Sequence, residues 1–147
     1  MTAIEQDLMK LYSERILALA AGMSHLGRLE APAGTAMKRS PLCGSTVTVD
    51  VVLTDGRVSD FAQDVKACAL GQASASVLAS GVIGRTRAEL AAAREQLRAL
   101  IKADGPAPDA PFDALESLRP ARDYKNRHAS ILLAWDAVLA AIDAAGA

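Results

Sequence analysis

The sequence predicts an α+β fold: a small three-stranded antiparallel sheet with helices packed on one face. Two observations carry the prediction. Val47, Val49, Val51 and Leu53 alternate with Thr46, Thr48, Asp50 and Val52, and the run ends at Asp55-Gly56, the pattern of a half-buried strand entering a hairpin. Beyond Cys68 the apolar spacing becomes helical and stays so towards the C-terminus. The β-hairpin is therefore followed by a run of helices, as in a sheet covered by helices rather than interleaved with them.

Each element has its own signal. Ile4, Leu8, Leu11, Ile16 and Leu19 recur at roughly helical spacing, which predicts a helix over Thr2 to Ala21. Gly22, Gly27 and Pro32 break it, and Ala31 to Gly34 reads as loop. Thr35 to Ser40 is the expected third strand. Thr54-Asp55-Gly56-Arg57 is the turn, because Asp-Gly supplies the positive φ that tight hairpins need. Val58 to Ala67 returns, with an imperfect alternation that suggests a bulge. Ala69 to Gly81 is rich in Ala, Gly and Ser, which suits a helix lying close to its neighbours. Thr86-Arg87-Ala88-Glu89 is a capping box, and Leu90, Ala93, Leu97, Leu100 and Ile101 form the apolar face of the helix it starts. Asp104 to Pro111 holds three prolines and a glycine and reads as linker. Asp113 to Leu118 is expected as a short helix. The last helix is expected from Arg122 to Asp143, with Ile131, Ala134, Trp135, Val138 and Ile142 on its apolar face.

Composition narrows the function. The 147 residues suit one domain, taken as 1–147. Aromatics are only 3%, so the core must be built from Ala, Val, Leu and Ile. A net charge of −1 lacks the basic surplus of a nucleic-acid protein. No run approaches the ~20 apolar residues of a membrane span. Glu5 and Asp7 precede the apolar residues of the N-terminus, unlike the basic start of a secretory signal. A cytoplasmic location is the expectation, and there a structural disulfide between Cys43 and Cys68 is the less favoured use of the thiols.

The chemistry concentrates at two places. Ser40-Pro41-Leu42-Cys43-Gly44-Ser45 is a tight loop before a strand, and Lys66-Ala67-Cys68-Ala69-Leu70-Gly71 is where a strand gives way to a helix. A thiol at a helix start meets the positive end of the helix dipole, which favours the thiolate needed for metal binding or sulfur transfer. The competing reading is a pair of inert, small core residues, a frequent use of free cysteine. No CxxC pair is present, so spacing alone does not choose.

The surrounding residues do. Ser40-Pro41-Leu42-Cys43-Gly44-Ser45-Thr46-Val47-Thr48-Val49, with the hairpin behind it, resembles the first cysteine motif of the U-type iron–sulfur cluster assembly scaffolds (IscU, SufU and the N-terminal domain of NifU). Ala67-Cys68-Ala69-Leu70-Gly71-Gln72-Ala73-Ser74-Ala75-Ser76 resembles their second motif, and Gly81-Val82-Ile83-Gly84 the end of the helix behind it. Leu11-Tyr12 to Gly27-Arg28-Leu29 is similar to their N-terminal helix and loop, and Arg127 to Trp135 to their third-cysteine region. The resemblance covers nearly the whole chain. It implies a three-stranded sheet with helices on one face and a scaffold rather than an enzyme. Iron, a transient Fe–S cluster or zinc would be held through Cys43 and Cys68. A cysteine desulfurase would deliver sulfur, and acceptor proteins would receive the cluster.

The chain departs from this pattern at two ligand positions. The usual Cys-Gly-Asp is here Cys43-Gly44-Ser45, and the third cysteine aligns with Ser130. Neutral serine is a poor ligand for iron or zinc beside a thiolate. His128, two residues before Ser130, is the strongest donor left in that region and the expected third ligand, facing the two cysteines. The alternative for it is a surface or capping role beside Arg122, Asp123, Lys125 and Arg127, which read as a solvated face or a partner surface. His25 is expected to be structural or exposed. Three readings compete. One is a scaffold binding metal through Cys43, Cys68 and His128, or through two cysteines from each chain of a homodimer. Another is a degenerate relative that acts in Fe–S assembly as a non-cluster-binding partner or regulatory module. The third is a thiol enzyme, for which no Cys-His or Ser-His-Asp pairing stands at motif strength.

Overall fold

A computed structural model describes residues 2, 3, 6 and 12–146 of the chain. Its order is α1 (Glu14–Ala21), β1 (Gly34–Arg39), β2 (Thr46–Thr54), β3 (Arg57–Lys66), α2 (Ala69–Gly81), α3 (Arg87–Ala103), two 3-10 segments (Asp113–Asp123 and Lys125–Arg127) and α4 (His128–Ala144). The strands form one antiparallel sheet in the order β1-β2-β3. The α+β architecture expected from the sequence is the one observed.

The hairpin forms for the anticipated reason. Asp55 and Gly56 take φ of 53° and 75°, so both central residues are left-handed, as a two-residue turn on a twisted ladder requires. Val52 pairs with Asp60 but Leu53 with Val58, so Ser59 is the extra residue and the bulge falls on the return strand β3, as its imperfect alternation suggests. Val47, Val49 and Val51 pair with Val65, Gln63 and Phe61 and face the helices. α4 lies directly on β1 and β2, with α2 and α3 on its flanks. At the crossing of β1 and α4 only glycine fits, because a Cβ on Gly34 would run into the Ala141 carbonyl.

The other face of the sheet is not left to solvent throughout. Asp50 alternates outward yet is fully buried. Arg28 donates to its two oxygens at 2.7 and 3.1 Å, the Leu29 N–H donates at 3.0 Å and the Thr35 hydroxyl at 2.6 Å. These donors, Arg28 foremost, hold the Asp50 carboxyl below the usual carboxylate range against the opposing pull of burial. Alongside, the His25 carbonyl accepts from the Gln63 N–H and the Gly27 N–H donates to the Gln63 carbonyl. The loop thus extends the edge of β3, and His25 is structural, its ring edge-on to Phe61 at 6.0 Å.

Three helix boundaries differ from expectation. Ser13 is the N-cap of α1, its hydroxyl accepting from the Ile16 N–H at 3.3 Å, so a helix starts there rather than running through from Thr2; Ile4, Leu8 and Leu11 lie outside the described residues. The short helix expected over Asp113 to Leu118 is a 3-10 segment that continues to Asp123 across Pro120. Its buried residues Leu115, Leu118 and Ala121 recur every third position, the period of a 3-10 helix, and Pro120 has no N–H to sustain an α-helical ladder. The last helix begins at His128, not Arg122, because Tyr124 at φ −113°, ψ 71° interrupts the chain. Arg127 caps α4 with no side-chain hydrogen bond, so the true start carries no capping signature in the sequence. α4 is buried nearly all round, and Trp135 sits at its centre edge-on to Phe112, 5.0 Å away. No helix among the described residues is long and apolar enough to cross a membrane.

Candidate functional site

The hairpin carries both cysteines to one end of the sheet. Thr46, the first residue of β2, pairs with Lys66, the last of β3; Cys43 lies just before the one strand and Cys68 just after the other.

Each thiol has its own local scaffold. The Ser40–Ser45 loop is closed by backbone bonds, Ser40 N–H to Ser45 carbonyl at 2.8 Å and Gly44 N–H to Ser40 carbonyl at 2.9 Å. Gly44 takes φ +72°, the left-handed turn that returns the chain to β2 and leaves Cys43 exposed at the tip. Cys68 is the N-cap of α2, half-buried and in extended backbone. Its junction is fixed by Gln72, whose amide group donates to the Ala67 carbonyl and whose N–H donates to the Cys68 carbonyl, both at 2.9 Å.

Two serine hydroxyls join the thiols. Cys43 Sγ is 3.1 Å from Ser45 Oγ, which is 3.2 Å from Ser130 Oγ, which is in turn 3.6 Å from Cys68 Sγ. The Cys43 thiol also donates to Ser40 Oγ at 3.3 Å. Ser40, Ser45 and Ser130 are all buried. Ser130 can stand there because residue 71 is glycine: a Cβ on Gly71 would sit 2.7 Å from its hydroxyl.

This arrangement sets the state of Cys43. Hydrogen bonds from Ser40 and Ser45 lower its pKa to about 7, against a smaller opposing push from burial. Once the proton leaves, both hydroxyls turn to donate to the thiolate. An aspartate at position 45 would repel that charge. Serine at 45 instead supplies a hydroxyl donor for it.

His128, expected beside the cysteines, is the first residue of α4, and its buried ring has other partners. Its Nε2 lies 3.0 Å from the Ala121 carbonyl, which that nitrogen can meet only as donor, and its Nδ1 lies 3.4 Å from Lys102 Nζ. The two-residue offset from Ser130 turns the ring to another side of the helix. Among the described residues no group of three or more His, Cys, Asp or Glu side chains is placed to hold a metal ion. What converges is two thiols and three hydroxyls. Sequence reasoning missed Ser40 and Gly71. Ser40 stands three residues before Cys43 in a tight loop and was legible in principle, whereas the role of Gly71 appears only when α4 is laid against α2.

Comparison with known proteins places this geometry. Residues 11–144 match the family model of the NifU-like N terminal domain. The iron–sulfur cluster assembly scaffold protein IscU of Thermotoga maritima is 27% identical over 130 residues, covering 85% of this chain and 87% of that protein. The crystal structure of a nitrogen-fixing NifU-like protein (N-terminal) from Brucella abortus superposes with a TM-score of 0.91 at 48% identity, covering 95% of this chain and 97% of the other. A putative scaffold protein for the SUF system from Fervidobacterium islandicum shares the fold, with a TM-score of 0.81 at 20% identity over 91% of this chain and 98% of the other. The chain belongs to the NifU-like N terminal domain family, the U-type scaffold family that its cysteine motifs resemble.

Proposed function

We propose that this chain serves in iron–sulfur cluster assembly as a scaffold whose working part is the linked pair Cys43 and Cys68. The observation that carries the reading is the exposed Cys43 thiol, held near pKa 7 by buried serine hydroxyls and tied through Ser45 and Ser130 to Cys68. Family membership and the likeness to a scaffold protein from Thermotoga maritima support it.

Cys43 is suited to receive sulfur. Its pKa, lowered to about 7, makes more of it thiolate at neutral pH than an ordinary thiol would be, and thiolate is the nucleophilic form. It attacks the terminal sulfur of a persulfide on a cysteine desulfurase. The S–S bond of the donor breaks, the donor cysteine leaves as a thiolate, and Cys43 becomes the persulfide. The Ser40 and Ser45 hydroxyls stabilise charge on the acceptor sulfur throughout. Iron or a nascent cluster, as cargo, would then be held by the sulfurs of Cys43 and Cys68 and passed to acceptor proteins. A closed tetrahedral zinc site asks for four good donors, and one chain brings two thiolates and only neutral serine hydroxyls besides to this end. Cargo is therefore held loosely by one chain, or by four thiolates where two chains meet.

The missing carboxylate and third cysteine support a second reading, a partner or regulatory module that binds no cluster. Incubation with a cysteine desulfurase turning over cysteine separates the two. Intact-mass analysis should find one added sulfur on wild type and none on Cys43→Ser. Wild type that gains no sulfur leaves the module reading.

A further inference from the structure

Two grooves of similar size lie on this protein, and their charges differ. The first, about 750 Å³, is lined in part by Asp104, Glu116, Arg119 and Arg122. Its charges satisfy each other: Arg119 pairs with Glu116 at 2.6 Å and Asp104 at 2.7 Å, and Arg122 with Asp104 at 2.7 Å. The second, about 660 Å³, runs from β1 and the cysteine loop along α4 from His128 to Asp143. Lys38, Arg39, Lys102 and Lys125 line it, all four exposed. None of them has a carboxylate partner among the described residues; Lys102 meets only the His128 ring. The two carboxylates of this groove are already engaged by arginines of α3, Asp136 by Arg94 at 3.0 Å and Asp143 by Arg87 at 2.7 Å. In a chain of net charge −1, these cations stand together beside the reactive thiol.

The groove is not purely ionic. Leu42, 74% exposed, stands at its mouth next to Cys43, and the half-buried Leu139 of α4 forms part of its wall above the buried Leu132 and Leu133. Cations with no acid of their own around an apolar wall complement a ligand that is acidic and apolar together. A nucleic-acid backbone has the charge but no side chains for the leucines, and four cations are few for phosphate-driven binding. We propose that this groove is the docking site for an acidic, leucine-bearing polypeptide segment of a partner protein, seated so that it covers the Cys43 loop. Rim cations steer such a segment in and set its register, while the leucines anchor it. The inference does not depend on whether the thiols carry sulfur or metal.

The probe is a fluorescein-labelled peptide alternating Glu and Leu, titrated with the intact chain by anisotropy. Saturable binding that weakens with added salt is expected. Lys38→Glu combined with Lys125→Glu should weaken it by about tenfold or more, with unchanged circular dichroism, and Lys38→Gln combined with Lys125→Gln by less. Bound peptide should slow alkylation of Cys43 by iodoacetamide. Equal binding of a Lys/Leu peptide or of single-stranded oligothymidine, or Glu/Leu binding that the charge reversals leave intact, would overturn the proposal. These readouts need neither desulfurase nor iron, so they fail separately from the sulfur-acceptance test.

Discussion

Ser74 of α2 and Ser130 of α4 are both buried in the contact between these two helices, and their hydroxyls have opposite surroundings. Ser74 donates to the Ile131 carbonyl at 2.6 Å and accepts from Trp135 Nε1 at 3.0 Å. Both partners are fixed groups of the core. Ser130 instead touches another rotatable hydroxyl, Ser45, and the Cys68 sulfur. The first serine specifies how α4 packs, since a buried indole N–H without an acceptor is costly. The second lies at the thiol end, where its proton can turn either way. Burial of a serine therefore says little about its role until the partner atoms are known.

The comparison breaks most visibly in stability. Trp135→Ala should cost about 3–5 kcal/mol in urea unfolding followed by circular dichroism, by removing the largest fully buried side chain. Ser74→Ala, with the indole retained, should cost about 1–3 kcal/mol because the Trp135 N–H loses its acceptor. Ser130→Ala should cost about 1 kcal/mol or less; a loss equal to that of Ser74→Ala would make Ser130 another packing serine. The thiol end is sharpened by giving back the charged ligands. Ser45→Asp together with Ser130→Cys should tighten zinc binding by more than about tenfold in competition with a chromophoric chelator. A double variant that binds no better than wild type means that missing ligands do not limit this site. The smallest effect is on Cys43 itself. In Ser45→Ala the thiolate loses a donor, so its pKa rises from about 7. Its alkylation profile should move to higher pH, with a slower rate at neutrality. An unmoved profile would assign the depressed pKa to Ser40 and the remaining donors, the Ser45 N–H and the Ser130 hydroxyl.

Regions governed by local rules were legible in the sequence. The Asp55-Gly56 turn, the Thr86 capping box and the five buried residues of α3 all appear as read, because each depends on neighbours a few residues away. The helix over Ala69–Gly81 was likewise legible from composition. The start of α4 was not, since Tyr124 breaks the chain without a proline or glycine and Arg127 supplies no cap. Nor was the burial of Asp50, which depends on Arg28 reaching across from a loop. At the site, the sequence named Cys43, Cys68, Ser45 and Ser130 but treated the serines as lost ligands. Their hydrogen bond to each other spans 85 positions in sequence, and no local pattern records it. The partners of His128 were illegible for the same reason: Ala121 and Lys102 lie on segments whose approach only the folded chain defines.

Anaerobic reconstitution with iron and sulfide, followed by absorbance and by iron and sulfide content, tests most directly whether the thiol pair is the working part. Wild type, Cys43→Ser, Cys68→Ser and His128→Ala would be compared side by side. Charge-transfer absorbance and bound sulfide should appear in wild type, persist in His128→Ala and be lost in both cysteine variants. A site emptied by His128→Ala while its fold is retained, or one that survives either cysteine substitution, would contradict a cargo held by Cys43 and Cys68.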